Sequence, residues 1–205
     1  MAISDNEKRL LVEVAKQLNE KLSKAIPLIR KQVQNIISTR IRASEEWSSI
    51  QFGKLHSELG VDNAAQRLDD ILTIWIDGTK VELVKVQVIN NRLDGGLRIT
   101  GAGRTDFSDT LSHSSAHIQI DNGTFDWLEM LLLAGDRVIS DYYYTIPNKY
   151  EVPYSRTGKG IMRHKTGSQW SLSPEFKGKE NDNFVTRSLQ GIENDIEQML
   201  AKDFL

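Results

Sequence analysis

Cysteine is absent from this chain of 205 residues. That excludes disulfide staples, a thiolate nucleophile and cysteine-ligated zinc, and it fits folding in a reducing compartment. No charge sign dominates either: 26 Lys and Arg stand against 28 Asp and Glu, a formal net charge of -2. A chain so balanced has no global basic field, and wholesale coating of nucleic acid is not expected. Long hydrophobic runs are missing too. The longest, "WLEMLLLAG", is far short of the ~20 residues that span a bilayer and carries Glu129. The start "MAISDNEKRLL" has neither the basic nor the apolar region of a signal peptide. These absences predict a soluble protein made in the cytoplasm, with no membrane partner.

What is present suffices for a core, since 39% of the residues are hydrophobic. The length fits one domain with appendages, taken as a helical arm over 1–50 and a body over 51–205. In the arm, Leu11, Val14, Leu18 and Leu22 recur at helical spacing, as do Ile29, Val33, Ile36, Ile37 and Ile41. Pro27 between them is expected to break the helix, because proline removes a backbone donor and crowds the preceding turn. An arm of this kind either covers a sheet or packs on a neighbouring copy.

Beyond the arm, "VDNAAQRLDDILTIWIDG" predicts a helix with Asp62 as N-cap and a stop at Asp77-Gly78. In "KVELVKVQVI" the apolar parity flips between Leu83 and Val84, which calls for a bulge or for burial on both faces. "RLDGGLRIT" supplies an Asp-Gly-Gly hairpin turn. "GAGRTDFSDTLSHSS" reads as a long loop, and "AHIQI" as a strand. "FDWLEMLLLAG" reads as a helix capped by Thr124 and closed by Gly135. Strands follow in "DRVISDYYYTI", around Ile161 to Arg163 and around Trp170 to Leu172. A last helix runs from about Asp182, with Val185, Leu189, Ile192, Ile196 and Met199 on one face. Helices and strands alternate without a βαβ repeat, which predicts an α+β fold with a mainly antiparallel sheet flanked by helices.

The catalytic motifs fail in turn. In "PYSRTGKGIM", Gly158-Lys159 is followed by Gly160 where a phosphate-binding loop needs a hydroxyl, no glycine lies five residues earlier, and a β-like stretch follows. "GAGRTD" lacks the third glycine of a dinucleotide fingerprint. His113 and His117 are four apart, but in an extended segment that separates them by about 13 Å, too far to share a metal ion. No serine sits in a Gly-x-Ser-x-Gly elbow. The adjacent pairs Glu45-Glu46 and Asp69-Asp70 read as solvated faces. No cofactor and no metal are expected, and the chain reads as a non-enzyme. A spatially assembled site is the alternative that sequence leaves open.

One segment stands out. Arg156, Lys159, Arg163, Lys165, Lys177, Lys179 and Arg187 face only Glu175, Glu180 and Asp182, with Tyr154, Trp170 and Phe176 interleaved. It reads either as a basic surface for an acidic partner or a nucleic-acid backbone, or as strand edges protected by cations.

Read in order, "FGKLHSELGVDNAAQRLDDILTIW", "DFSDTLSHSSA", "FDWLEMLLLAGDRVISDYYY", "YSRTGKGIM" and "WSLSPEFKGKENDNFVTRSL" resemble the small neck and tail-completion proteins of tailed bacteriophages. The resemblance spans about Phe52 to Leu189 and lies in the order of short motifs. It implies a structural virion protein that forms a ring of six or twelve copies and joins the DNA-filled head to the tail. Its partners would be itself and the neighbouring neck, portal or tail-terminator proteins, with DNA only as passing cargo. Assembly would take place in the host bacterial cytoplasm. On the same resemblance Phe184 would anchor the last helix, Arg187 would face a neighbour, and the loop bearing Arg156 and Lys159, with Arg163 beyond it, would make contacts. The basic segment would then meet acidic helical surface carrying Glu45, Glu46, Asp69 and Asp70. The alternative is a nucleic-acid-binding or packaging accessory protein that uses residues 156–187.

Overall fold

The computed structural model describes residues 4–101, 107–120, 123–135, 143–147, 160–164 and 172–204. The fold is α+β. Its strands form three separate two-stranded antiparallel hairpins among the described residues, rather than one sheet.

Helix α1 (Asp5–Arg42) is 38 residues long, about 57 Å at the usual rise per residue. Its start is fixed by a capping box: the Glu7 amide donates to Ser4 Oγ at 3.3 Å, and the Ser4 amide donates to Glu7 Oε2 at 2.7 Å. This bonding holds the Glu7 carboxyl below its ordinary range. Pro27 does not break the helix. It lies on the exposed face, as does Ser23, whose carbonyl loses its usual donor and is left to water. Ile26 and Ile29 meanwhile pack on the core to either side.

Helices α2 (Glu45–Phe52), α3 (Lys54–Leu59) and α4 (Ala64–Asp77) follow. Ile29, Val33, Ile37 and Ile41 of α1 share one core with Trp47 and Ile50 of α2, Leu55 of α3, and Leu68, Ile71 and Trp75 of α4. The latter half of the predicted arm is thus part of the body's core. Asp62 does not cap α4. Asn63 stands at that position in a left-handed conformation, and Asp62 instead binds Arg67 at 3.1 Å.

Strands β1 (Lys80–Ile89) and β2 (Arg92–Thr100) form the first hairpin. The register runs Val84 to Gly96 and then Gln87 to Asp94, so β1 carries one extra residue. This bulge is the reason for the parity flip: Val81 and Leu83 are covered before it, Val86 and Val88 after it. The turn is Asn90-Asn91, both at positive φ, which suits the twist of a tight hairpin. The predicted Asp-Gly-Gly turn is therefore wrong. Those glycines lie inside β2, where a side chain on Gly95 would meet the Lys85 carbonyl at 2.5 Å. Glycine is needed there for close approach to the bulge, and its φ of +118° agrees.

The bulged residue leaves main-chain groups outside the ladder. Asn19 of α1 takes up both: its Nδ2 donates to the Val86 carbonyl and its Oδ1 accepts from the Val86 amide, each at 2.8 Å. The clamp ties the first half of α1 to the hairpin. Replacing Asn19 by alanine is expected to cost about 2 kcal/mol, because two part-buried polar groups lose their partners. Thermal melts and amide exchange at Val86 would read it; an unchanged melt together with unchanged exchange would dismiss the clamp.

The predicted long loop contains helix α5 (Ser108–Ser112) and a 3-10 turn over Ser114–Ala116. Thr110, Ser115 and Ala116 are buried there, and tertiary packing overrides the polar composition. Strands β3 (Ile118–Ile120) and β4 (Gly123–Phe125) pair next. Helix α6 (Trp127–Leu132) starts after Asp126, with Thr124 back in β4, so Thr124 is not its cap. Trp127 is fully buried, and its Nε1 donates to the Ser115 carbonyl at 2.9 Å.

Strands β5 (Tyr143–Pro147) and β6 (Gly160–His164) pair antiparallel. Of the strand expected around Trp170 to Leu172, residues 170 and 171 lie outside the described residues, and Leu172 is buried but not in a strand. A 3-10 turn over Pro174–Phe176 leads to α7 (Phe184–Ser188) and α8 (Ile192–Phe204). The single terminal helix expected from Asp182 is thus two. Gly191, at φ 74°, separates them.

Candidate functional site

The segment "NDNFVTRSL" builds the site. Asn183 is fully buried, and all four of its amide positions are satisfied. Its Oδ1 accepts from the amides of Val185 at 3.1 Å and Thr186 at 3.0 Å, starting α7. Its Nδ2 donates to the carbonyls of Lys179 at 3.0 Å and Glu180 at 3.1 Å, fixing the loop before the helix. Thr186 Oγ1 accepts from the Asn183 amide at 2.7 Å, completing a capping box. Asn183 is not among the residues expected from sequence to matter. The signal is present all the same, since Asn followed three residues later by a hydroxyl is a helix start.

With α7 set in place, Phe184 points into the core. It is fully buried and meets Trp75 edge-on, ring centres 5.6 Å apart. Arg187, one turn later, reaches back to α2. Its Nε donates to Glu46 Oε1 at 2.7 Å, and Nη1 donates to Asp182 Oδ1 at 2.8 Å and the Lys177 carbonyl at 3.3 Å. Nη2 donates to the Phe176 carbonyl at 3.4 Å. Glu46 is buried, its side chain only 7% exposed. Burial acts to lower the Arg187 pKa, but the bonds to Glu46 and Asp182 overcome it and the net direction is upward.

Above this pair lies an open groove of about 1010 Å³, walled by α1, the start of α2, α7 and α8. Arg40 crosses it. Its Nε donates to Asp195 Oδ2 at 2.6 Å and its Nη1 to the Gln190 carbonyl at 2.7 Å, so α1 is tied to the α7–α8 junction. The bond to Arg40 holds the Asp195 carboxyl below its ordinary range and raises Arg40. At the far side Lys54 pairs with Glu175 at 2.8 Å, which lowers the Glu175 carboxyl in the same way. Three of these pairs, Arg187 with Glu46, Arg40 with Asp195 and Lys54 with Glu175, join segments distant in the chain. These bonds tether the walls of the groove to one another.

The sequence-predicted contact residues fall in three places. Arg156 and Lys159 lie outside the described residues. Arg163 is in β6, opposite Tyr144. Phe184 and Arg187 come together in α7, but neither is presented as a free surface group: Phe184 is enclosed, and Arg187 is bonded within its own chain. The expected acidic surface is also largely engaged. Glu46 holds Arg187, Asp69 meets Arg42 at 2.8 Å, and Asp70 Oδ2 accepts from Ser115 Oγ at 2.7 Å. Ser115 and then Gln66 lower the Asp70 carboxyl. The reading of Glu45-Glu46 and Asp69-Asp70 as solvated faces is therefore corrected for Glu46, which is buried, while Glu45 is exposed and Asp69 and Asp70 are half-buried.

Comparison with known protein families, curated proteins and solved structures finds no match. Within the chain, His113 Nδ1 accepts from the Ser115 amide at 3.2 Å, whereas His117 Nδ1 meets Asp126 Oδ1 at 2.7 Å, so the two rings serve different partners. Among the described residues no three His, Asp or Glu side chains are grouped as metal ligands. No helix among them is long and apolar enough to cross a membrane.

Proposed function

We propose that this chain is a structural subunit of the neck of a tailed bacteriophage, assembling into a ring that joins the DNA-filled head to the tail. The observation that carries the reading is the long helix α1. One stripe of it enters the core, yet Leu10, Val12 and Leu28 are 65%, 60% and 53% exposed. Leu10 and Leu28 lie five helical turns apart on the same face. Apolar side chains held out along a long helix give a neighbouring subunit surface to pack on. The dense ion pairing around Arg187 and Arg40 supports the same reading, because it makes the other end of the helix a rigid body. Ring closure needs two different faces of each copy to meet. The partners would be further copies and the adjoining portal-side and tail-side proteins, and the location the virion neck.

Native mass spectrometry of the purified full chain, with negative-stain imaging, tests this. Closed assemblies of six or twelve copies are expected, with little affinity for duplex DNA. A species that stays monomeric at every concentration and never enters particles would sink the proposal. The packaging-accessory alternative gives a different result, namely duplex binding that weakens steeply with salt.

A further inference from the structure

The two edges of the β1–β2 hairpin differ. α1 lies mainly along β1, and Asn19 occupies the main-chain groups of Val86 much as a neighbouring strand would. On β2 nothing corresponds among the described residues. Among the described residues no element pairs with its outer edge. No residue of β2 is buried, and Arg92, Leu93, Asp94 and Gly95 are all exposed. An open edge of unpaired amides and carbonyls is a template for another strand.

The side chains say which strand fits. Successive residues alternate between faces, so Asp94 and Arg98 share one face of β2 and Leu93, Leu97 and Ile99 the other. Neither Asp94 nor Arg98 makes an ion pair or side-chain hydrogen bond among the described residues. About Gly96 the strand is complementary at one charged pair, Asp94 and Arg98, with Leu93 mirrored by Ile99 and Arg92 by the uncharged Thr100. Two copies of β2 laid antiparallel with Gly96 at the centre bring Asp94 of each opposite Arg98 of the other, and Leu93 opposite Ile99. Within its own hairpin Arg98 already stands opposite Glu82, so the second copy's Asp94 would approach from the other side. A parallel pairing in register would instead oppose Asp94 to Asp94 and Arg98 to Arg98, which is repulsive. Gly95 and Gly96, at φ +118° and +144°, interrupt the strand. The contact would therefore run as two short arms, Arg92 to Asp94 and Leu97 to Thr100, on either side of a centre bare of side chains.

We propose that the outer edge of β2 docks a second copy of this chain across a two-fold axis, forming a four-stranded antiparallel sheet. The contact is isologous, the same patch serving both copies. It is separate from the head-to-tail faces that close a ring, so it can hold whether or not the neck reading does.

Sedimentation velocity on the full chain tests it, with far-UV circular dichroism to confirm that each variant is folded. The wild type, whether as single chains or as closed rings, should pair two-fold with rising concentration, and less so in high salt. Asp94→Arg and Arg98→Asp should each weaken self-association about tenfold, since both mutual pairs turn repulsive. An equal mixture of the two variants should recover association, because every facing pair is then of opposite sign. Amide exchange supplies a second readout: β2 amides should gain protection as concentration rises. The proposal is overturned by a wild type that shows no two-fold pairing, by single variants that associate like the wild type, by a mixture no better than its components, or by β2 amides that exchange alike at all concentrations.

Discussion

A Gly178→Ala variant is expected to lose about 3 kcal/mol of stability or more, seen as a lower denaturation midpoint at unchanged slope. Gly178 lies against the end of α6. A Cβ on it would overlap the carbonyl carbon and oxygen of Leu131 and the amide nitrogen of Leu132. All three are backbone atoms, so no side chain can swing away to make room. Nor can the loop retreat. The Gly178 amide donates to the Met130 carbonyl at 3.0 Å, and its carbonyl accepts from the Gly135 amide at 2.9 Å. The first of these bonds satisfies a carbonyl that the end of α6 leaves without an intrahelical partner. A shift large enough to admit a methyl group breaks both. Gly135 faces the same crossing from the other side, where its own Cβ would strike the backbone of Lys177 and Gly178. The two substitutions should therefore be non-additive. Gly101→Ala is the control: nothing stands within 4 Å of its Cβ position, and a change within about 0.5 kcal/mol is expected. A Gly178→Ala variant as stable as that control would show that the crossing is loose.

The α+β class and most helices and strands were legible because they rest on local periodicity. Legibility failed where one local signal had two physical uses. Asp-Gly-Gly is a strong turn signal, yet the turn went to Asn90-Asn91 and the glycines to the close approach opposite the bulge. The parity flip in "KVELVKVQVI" allowed either that bulge or burial on both faces; it carried no sign that glycine would be needed across from the bulge. Pro27 is a strong helix breaker, yet it sits on the exposed face where water can meet the carbonyl it leaves unpaired, and Ile26 and Ile29 are held by the core. The capping boxes at Ser4 and Asn183 are local signals that could have been read. The site is a different matter. Arg187 and Glu46 are 141 residues apart in the chain, and Gly178 is one glycine in a lysine-rich loop. Nothing local distinguishes a cation that closes a tertiary contact from one that protects a strand edge.

Arg187 decides between those two uses, and its removal should be nearly as costly as the Gly178 change. Arg187→Ala is expected to destabilise the folded chain by about 3 kcal/mol, the usual consequence of leaving a buried charge without its partner. Glu46 is that charge, and α2 has no other cation placed to meet it in the described residues. The carbonyls of Phe176 and Lys177 and the carboxylate of Asp182 would lose their donor in the same step, loosening the loop that carries Gly178. Glu46→Leu combined with Arg187→Met should recover most of the loss, because two matched apolar groups avoid the desolvation that a lone charge suffers. A double-mutant cycle on denaturation midpoints therefore separates the pair from its surroundings. If Arg187 instead acted chiefly towards a neighbouring subunit, Arg187→Ala would leave the isolated chain as stable as wild type and impair assembly alone. The buried Glu46, and the four donor bonds Arg187 makes within its own chain, argue for the first outcome. Any assembly defect of Arg187→Ala should then scale with its loss of stability, and the double variant, with Glu46→Leu and Arg187→Met together, should assemble.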